Sequence, residues 1–445
     1  MKFGLLGRHL KHSYSPEIHK ELHGEPYALY EKEPEEVESF LRETDLDGLN
    51  VTIPYKQTVM KSCVWLSDAA RRIGCVNTLK KMPDGWHGYN TDYYGFGTML
   101  KEAAIDPAGL KCLILGNGGA SLTARTALQD LGAREVVILS RSKAAHESSE
   151  NDPGQASEAG PGAKRSDAKE RSPESCSVTF DTYDHLERHK DAGLIVNTTP
   201  VGMYPENGEA LLDPADFPDL RGVADVVYNP ARTELLLRAE RESIPYAGGL
   251  HMLVAQAKKS AEIWLDRAIP DSEVLRIRKL LEAKMQNIIL IGMPGCGKSS
   301  IGKILSEMTG RTFIDADEEL IRMTGRPIPE IFAEEGEASF RRYETKVLSE
   351  LGKRSGCIIS TGGGCITVKE NYPLLHQNGR IIWIRRDLKV LPSEGRPLSQ
   401  LHTMEALYEA RKDAYQRFAD AIVENDKSVE SAAERILRLQ YDYNS

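Results

Sequence analysis

No stretch of the 445-residue chain is an unbroken apolar run of the roughly 20 residues that a membrane helix needs. No CxxC pair occurs among its seven cysteines, which argues against a disulfide framework or a zinc site and for a reducing cytosol. Positive charge is short as well: 57 Lys and Arg stand against 66 Asp and Glu, a net charge of −9. That excludes a nucleic-acid or membrane surface as partner, so an anionic ligand must be met by local arginines, lysines and helix termini. An N-terminal targeting segment is not expected either, since Lys2 to Gly7 already reads as a strand. One internal stretch, Ala144 to Ser177, lacks Val, Ile, Leu, Met and aromatic residues altogether. It cannot bury enough apolar surface to offset its ordering entropy and reads as a flexible insertion. The chain as a whole is 40% hydrophobic and 28% charged, a globular composition with length for about three domains.

What the sequence does have is glycine turns behind apolar runs. The clearest is NIILIGMPGCGKSSIGKIL, Asn287 to Leu305. The apolar run Ile288 to Ile291 feeds the pattern GxxxxGKS at Gly292, Gly297, Lys298 and Ser299, and Ile301, Ile304, Leu305 and Met308 recur behind it at helical spacing. Strand, loop and helix in that order make a phosphate cradle. Glycines let backbone N–H groups converge, the helix N-terminus adds its dipole, Lys298 brings charge to the β- and γ-phosphates, and Ser299 can ligate Mg²⁺. Gly295, Cys296 and Ser300 complete the candidate ATP loop. Downstream, GRTFIDADEELI predicts a strand that delivers two carboxylates on one face, Asp315 toward Mg²⁺ and Asp317 toward an attacking hydroxyl.

The first third opens with KFGLLG and the loop RHLKHSYSPEIHKEL, where Pro16 suits the first turn of a helix and Ser15 its cap. A strand at Tyr27 to Tyr30, an amphipathic helix at Pro34 to Arg42 and a strand at Asp47 to Ile53 are predicted next. The last ends in NVTIPYK and brings Thr52 and Lys56 to a strand's carboxyl end, where open α/β sheets bind ligands. CVNTLKKMPDGWHGYNTD predicts a hairpin turned at Pro83-Asp84-Gly85, which draws Asn77 close to Asn90, Thr91 and Asp92.

The blocks HSYSP, NVTIPYK, CVNT and YNTDYYG resemble those of shikimate dehydrogenases, in order and at similar spacing. The resemblance implies that Ser13, Ser15, Thr52, Lys56, Asn77 and Asp92 surround the substrate. Reducing a ring ketone needs a proton donor beside the developing alkoxide. Lys56, kept charged by the Asp92 carboxylate, is with it the expected catalytic couple.

From Leu110, LKCLILGNGGASLTARTALQDLG predicts a buried strand, a glycine turn and a helix that seat a pyrophosphate, with Gly116, Asn117, Gly118, Gly119 and Ala120 as candidate contacts. Ser121 stands at the third glycine position of GxGxxG, and the turn is similar to the GxGGA of the same family. The next strand, EVVILSRSK, ends in Ser140, Arg141, Ser142 and Lys143 instead of the acidic residue that NAD sites offer the ribose, which predicts NADP. The insertion at 144–177 follows directly and reads as a solvated loop. GLIVNTTPVGM (Gly193 to Met203) and ADVVYNP (Ala224 to Pro230) read as strands, and GGLHMLVAQAKKSAEIWL as a helix returning to the first domain. The resemblance implies Gly249 near the nicotinamide and Tyr228 and Gln256 near the substrate.

FRRYE (Phe340 to Glu344), STGGGC (Ser360 to Cys365), GRPLS (Gly395 to Ser399) and RKDAY (Arg411 to Tyr415) resemble shikimate kinase blocks, in order, between Gln286 and Ser445. The resemblance implies that Arg341, Gly363 and Arg411 hold the substrate's carboxylate and ring hydroxyls. It also implies a mobile lid whose Arg396 acts with Lys298 and Asp317 in catalysis. Arginine forks pair with carboxylates bidentately, and backbone N–H groups approach a ligand closely where side chains are absent.

The expected fold class is α/β. A two-domain dehydrogenase over 1–284, with a substrate domain (1–108 plus helices at 250–284) and a Rossmann-like NADP domain (109–249), is joined to a P-loop kinase domain with a parallel sheet over 285–445. The resemblance implies a cytoplasmic bifunctional enzyme of aromatic-precursor synthesis. It would reduce 3-dehydroshikimate to shikimate with NADPH, then phosphorylate shikimate with ATP and Mg²⁺. Small molecules are its expected partners, not nucleic acid or membrane, and a homodimer is compatible with the reading. A quinate-type dehydrogenase, a small-polyol kinase and an ATP-binding regulatory module remain open at this stage.

Overall fold

The computed structural model describes residues 1–10, 13–141, 176–391 and 404–441. Ser142, Arg396 and residues 144–175 of the predicted insertion lie outside the described residues. Two compact units emerge. The first combines Met1–Val201, Ala210–Tyr228 and Arg238–Arg278, and the second Gly202–Glu209, Asn229–Leu237 and Lys279–Ser445.

The first unit holds two six-stranded sheets. One comprises β1 (Phe3–Gly7), β2 (Tyr27–Glu31), β3 (Gly48–Val51), β4 (Cys63–Leu66), β5 (Thr78–Met82) and β6 (Gly85–Tyr89), in the order β2-β1-β3-β5-β6-β4. β1 and β3 are parallel and buried along their whole length, as strands covered on both faces are. The β5–β6 hairpin pairs Met82 with Gly85 around a two-residue turn, and at its open end Asn77 N–H donates to Tyr89 O at 3.0 Å. Helix Ser15–His23 starts at Ser15 itself, so Ser15 is not its cap: Tyr14 stands at the N-cap with no side-chain cap bond, and the Ser15 N–H goes to Ser13 Oγ at 3.2 Å.

The second sheet comprises β7 (Lys111–Leu115), β8 (Glu135–Ser140), β9 (Ser177–Thr182), β10 (Leu194–Asn197), β11 (Gly222–Asp225) and β12 (Tyr246–Gly248). It is parallel throughout, in the order β12-β11-β10-β7-β8-β9. The order reverses between β7 and β10, the switch point at which doubly wound sheets bind dinucleotides. β11 stops at Asp225 and does not run on to Pro230. The buried Asp225 carboxylate accepts from Asn197 Nδ2 at 3.0 Å and from Val227 N–H at 2.9 Å, which turns the backbone off the sheet.

Helix Gly249–Leu265 starts directly behind β12 and ends against the first sheet. Its Trp264 stacks on Phe3 with ring centroids 4.6 Å apart and donates Nε1–H to Leu79 O at 2.9 Å. Midway it packs on helix Asp92–Glu102 at Gly95, where an added Cβ would sit 2.7 Å from Met252 O. This return of the chain fixes the first sheet against the second.

In the second unit β13 (Asn287–Ile291), β14 (Phe313–Asp315), β15 (Ile358–Ser360), β16 (Gly379–Arg385) and β17 (Ala421–Glu424) form a parallel sheet ordered β14-β15-β13-β16-β17. The wholly buried β13 is central and feeds helix Lys298–Thr309, which buries Ile301 and Leu305 and leaves Met308 exposed. The expectation of one strand carrying Asp315 and Asp317 is corrected here. β14 ends at Asp315, whose Oδ1 accepts the Asp317 N–H at 3.0 Å and caps helix Ala316–Thr324, so Asp317 stands in that helix's first turn. Among the described residues, no helix is long and apolar enough to cross a membrane.

Candidate active sites

A cleft of about 660 Å³ opens in the first unit, and every substrate residue expected for the dehydrogenase lines it: Ser13, Ser15, Thr52, Lys56, Asn77, Asp92, Tyr228 and Gln256. Lys56 leaves the end of the β3 loop, its carbonyl held by Val76 N–H at 2.8 Å, and donates Nζ–H to Asp92 Oδ2 at 2.6 Å. Their side chains are 23% and 13% exposed, so the pair is poorly screened but still open to the cleft. Burial by itself pushes the lysine down, yet the carboxylate outweighs it and holds the ammonium above its ordinary pKa. Asp92 opens helix Asp92–Glu102, where a negative charge is also favoured by the helix dipole. Tyr228 meets Tyr14 edge-on with centroids 6.2 Å apart, and burial raises its phenol, keeping it a neutral donor.

At the floor of the cleft lies a buried polar layer of Asn50, Thr78, Thr91 and Ser260, of which sequence reading singles out Thr91 alone, as a neighbour of Asn77. Thr91 N–H donates to Asn77 Oδ1 at 2.7 Å, and Asn77 Nδ2 donates to Thr91 Oγ1 at 2.9 Å and Gln256 Oε1 at 3.4 Å. Asn77 and Gln256 are thus oriented by protein partners before any substrate arrives. Asn50 and Thr91 were legible in principle, since they sit inside NVTIPYK and YNTD; Ser260 lies four residues after Gln256, one helical turn on the same face.

Gly249 and Ala120 line the same cleft and bring it up to the glycine turn after β7. An added Cβ at Gly249 would collide with the Val226 carbonyl, so its close approach is a packing requirement as well as a means of access. Gly116 has φ +98°, and its Cβ would sit 2.6 Å from Thr199 Cγ2. Asn117 completes the turn, and beside Gly118 and Gly119 the space is open at the start of helix Gly119–Asp130. A pyrophosphate fits that opening, at the backbone N–H groups of a helix N-terminus. Of the basic end of β8, Ser140 is buried and Arg141 exposed.

The second unit has its own cleft of about 390 Å³, lined by Gly295, Gly297, Lys298, Ser299, Ser300, Asp315, Asp317, Arg341, Gly363 and Arg411. Lys298 Nζ donates to Gly292 O at 2.9 Å and Met293 O at 3.1 Å, folding the ammonium over the loop. Ser299 Oγ donates to Asp315 Oδ2 at 2.7 Å, which sets a hydroxyl and a carboxylate side by side as oxygen donors suited to Mg²⁺. Cys296 is buried, and its carbonyl accepts from Asn425 Nδ2 at 2.9 Å, so this residue serves the loop through its backbone. ATP with Mg²⁺ fits this set of glycines, charge and oxygens.

Arg341 Nη1 donates to Glu344 Oε2 at 2.7 Å, and burial raises that carboxyl although the arginine pulls it down. Arg411 Nη1, at 3.2 Å, and Tyr415 OH, at 2.5 Å, both donate to Gly363 O and hold the glycine turn at the wall of the cleft. Glu344 and Tyr415 close the FRRYE and RKDAY blocks and were within reach of motif reading. Asn425 had no local signal.

Gly292 sits at φ +146°, and a Cβ there would collide with Ile384 O. Gly292→Ala is expected to cost about 1–3 kcal/mol of strain. Thermal melting should show the second unit destabilised and ADP release should fall at least about tenfold, with dehydrogenase turnover unchanged. Wild-type kinase kinetics in this variant would show that the loop does not need its backbone approach.

Residues 5–79 match the family model described as the shikimate dehydrogenase substrate binding domain, and residues 294–440 that of shikimate kinase. The NADP(+) shikimate dehydrogenase of Clostridium beijerinckii is 35% identical over 270 residues, covering 59% of this chain and 91% of that protein. Among solved structures, a chorismate mutase/shikimate 5-dehydrogenase fusion protein from Clostridium acetobutylicum aligns at 35% identity and TM-score 0.53, over 63% of this chain and 97% of that one. The shikimate 5-dehydrogenase of Thermus thermophilus, in complex with NADP(H) and shikimate, aligns at 26% identity and TM-score 0.53, over 63% and 99%. With motifs, clefts and relatives in agreement, the chain belongs to the shikimate dehydrogenase family and carries a shikimate kinase domain behind it.

Proposed function

We propose that the chain is a bifunctional enzyme that reduces 3-dehydroshikimate to shikimate with NADPH and then phosphorylates shikimate with ATP and Mg²⁺. The dehydrogenase takes 1–284 and the kinase 285–445. The observation that carries the first half is the Lys56–Asp92 pair, 2.6 Å apart on the wall of a cleft that also reaches Gly249 and Ala120. A reduced nicotinamide, when bound, contributes the hydride to the carbonyl carbon. Lys56 holds a proton at Nζ and gives it to the carbonyl oxygen as that oxygen gains negative charge. Asp92 keeps the lysine charged and aimed, and solvent restores the proton afterwards. Ser13, Ser15, Thr52, Asn77, Tyr228 and Gln256 position the acid's carboxylate and hydroxyls, while Gly116 to Ala120 with Ser140, Arg141 and Ser142 hold NADP.

For the second half, Mg·ATP contributes the phosphoryl group. Arg341, Arg411 and the Gly363 N–H hold the acid, Asp317 orients its attacking hydroxyl, and Lys298 with Arg396 offsets charge on the transferring group. Ser299 and Asp315 are the proposed Mg²⁺ ligands. Seven free thiols agree with a reducing, cytoplasmic setting. Homodimerisation stays part of the proposal and is read by sedimentation.

A coupled assay tests the whole: protein, 3-dehydroshikimate, NADPH, ATP and Mg²⁺, following NADPH absorbance with ADP release. ADP should appear only when both 3-dehydroshikimate and NADPH are present, or when shikimate is added directly. NADPH should be preferred to NADH by about 100-fold in kcat/KM, since charge-assisted hydrogen bonds to a 2′-phosphate contribute about 1.5–3 kcal/mol. NADPH consumption without ADP, even with added shikimate, would leave the second cleft an ATP-binding module. Preference for quinate would move the first to a quinate-type dehydrogenase.

A further inference from the structure

Behind the dehydrogenase cleft a row of hydrogen bonds runs inward from the surface, with one direction as far as the Asn50 amide. Glu25 N–H donates to His23 Nδ1 at 3.1 Å, so the half-buried His23 carries its proton on Nε2. That nitrogen lies 3.1 Å from His19 Nδ1, which therefore accepts and leaves the His19 proton on Nε2. His19 Nε2 lies 3.0 Å from Asn50 Oδ1, and the Tyr27 hydroxyl donates to the same oxygen at 2.9 Å. The Asn50 amide nitrogen is then turned toward Ser260 Oγ at 3.0 Å and Thr78 Oγ1 at 3.2 Å. Thr78 and Ser260 lie 3.1 Å from Thr91 Oγ1, the partner of Asn77 and Gln256.

The direction cannot be reversed locally. A flipped Asn50 would need His19 Nε2 as acceptor, hence His19 Nδ1–H donating outward and His23 Nδ1–H facing the Glu25 N–H, donor against donor. His19 itself is fully buried, stacked on Tyr27 with centroids 4.3 Å apart, and touches no part of the cleft. Burial depresses it to about 3, and His23 is lowered too, so both rings stay neutral at the pH where the relay must hold.

We infer that His19 is a positioning residue for the dehydrogenase: it fixes the amide of Asn50, which lines the cleft, and through it anchors the Thr78–Thr91–Ser260 layer on which Asn77 and Gln256 rest beside the substrate. This rests on the proposed function of the cleft. It follows that loss of the His19 donor acts on substrate recognition and not on the chemical step, because Lys56 and Asp92 have no bond to the relay.

The test compares His19→Leu, which keeps bulk and removes both nitrogens, with His19→Gln, whose amide can restore a donor to Asn50. In the full chain, KM for 3-dehydroshikimate is expected to rise about tenfold in His19→Leu, the worth of one buried hydrogen bond, with kcat within about threefold and NADPH affinity unchanged. His19→Gln should return KM to within about threefold of wild type. A wild-type KM in His19→Leu, or equal loss in Leu and Gln variants, overturns the inference. Should His19→Leu fail to bind NADPH and so prove unfolded, His23→Leu at the accessible end replaces it; a KM increase of about threefold supports the relay and no change sinks it. Wild-type protein unable to reduce 3-dehydroshikimate would instead bring down the functional reading, and this inference along with it.

Discussion

Lys56→Met is expected to lower dehydrogenase kcat by roughly 10²–10⁴, the usual contribution of a positioned general acid, while the kinase of the same chain keeps its rate on added shikimate. Methionine preserves the length of the side chain and removes the proton, leaving Asp92, 13% exposed, without its cation. Lys56→Arg separates charge from proton donation: it keeps a cation beside Asp92 but one too basic to give up its proton, and is expected to be nearly as slow. Rapid turnover by the arginine variant would show that Lys56 acts by charge alone. The pair also has a pH signature. Because Asp92 raises the lysine above its ordinary value of about 10.4, the stability it contributes is complete below that value and is lost as pH climbs through the folded-state pKa. Melting curves of wild type and Lys56→Met should therefore converge at high alkaline pH.

Lys298→Met carries the second large effect, an expected fall of about 10³ in kinase kcat with dehydrogenase kinetics intact, in the range found when a preorganised charge at a transferring group is removed. The side chain is buried against the loop, with Gly292 O and Met293 O as its partners. Its loss frees two carbonyls that face the phosphate cradle, so ATP affinity should weaken as well. Binding of ATP measured by calorimetry alongside turnover separates the two effects. A variant that binds ATP normally and still turns over would place the catalytic charge elsewhere, with Arg341 and Arg411 the remaining cations among the described residues lining that cleft.

The elements that were legible in the sequence are those in which a local pattern has one physical outcome. The apolar run Ile288 to Ile291 before GxxxxGKS must be a buried strand feeding a loop, and β13 is such a strand. The β5–β6 hairpin follows from Pro83-Asp84-Gly85, and the approach of Asn77 to Thr91 follows from the hairpin. Local pattern failed where a side chain competed with the backbone. Asp225 ends β11 early by taking two N–H groups, and Asp315 starts a helix where an extended strand was expected. Both are short acidic residues, whose hydrogen bonds to nearby backbone are decided by what else is within reach.

The relay from His23 to Gln256 shows the same division. Ser13, Thr52, Lys56 and Asp92 could be named as site residues because each sits in a compact motif whose chemistry is visible in a few letters. Asn50, Ser260 and His19 are 210, 241 and 31 positions apart along the chain, in pairs, and meet because helix Gly249–Leu265 is drawn back onto the first sheet. By itself the sequence determined the three sheets' building blocks, the two glycine turns and the residues that carry charge to each cleft, since those depend on short-range spacing and side-chain chemistry. Tertiary structure alone decided which buried polar groups share hydrogen bonds and in which direction their protons point, because a hydrogen bond is directional and its partner is chosen by the fold, not by the neighbouring letters.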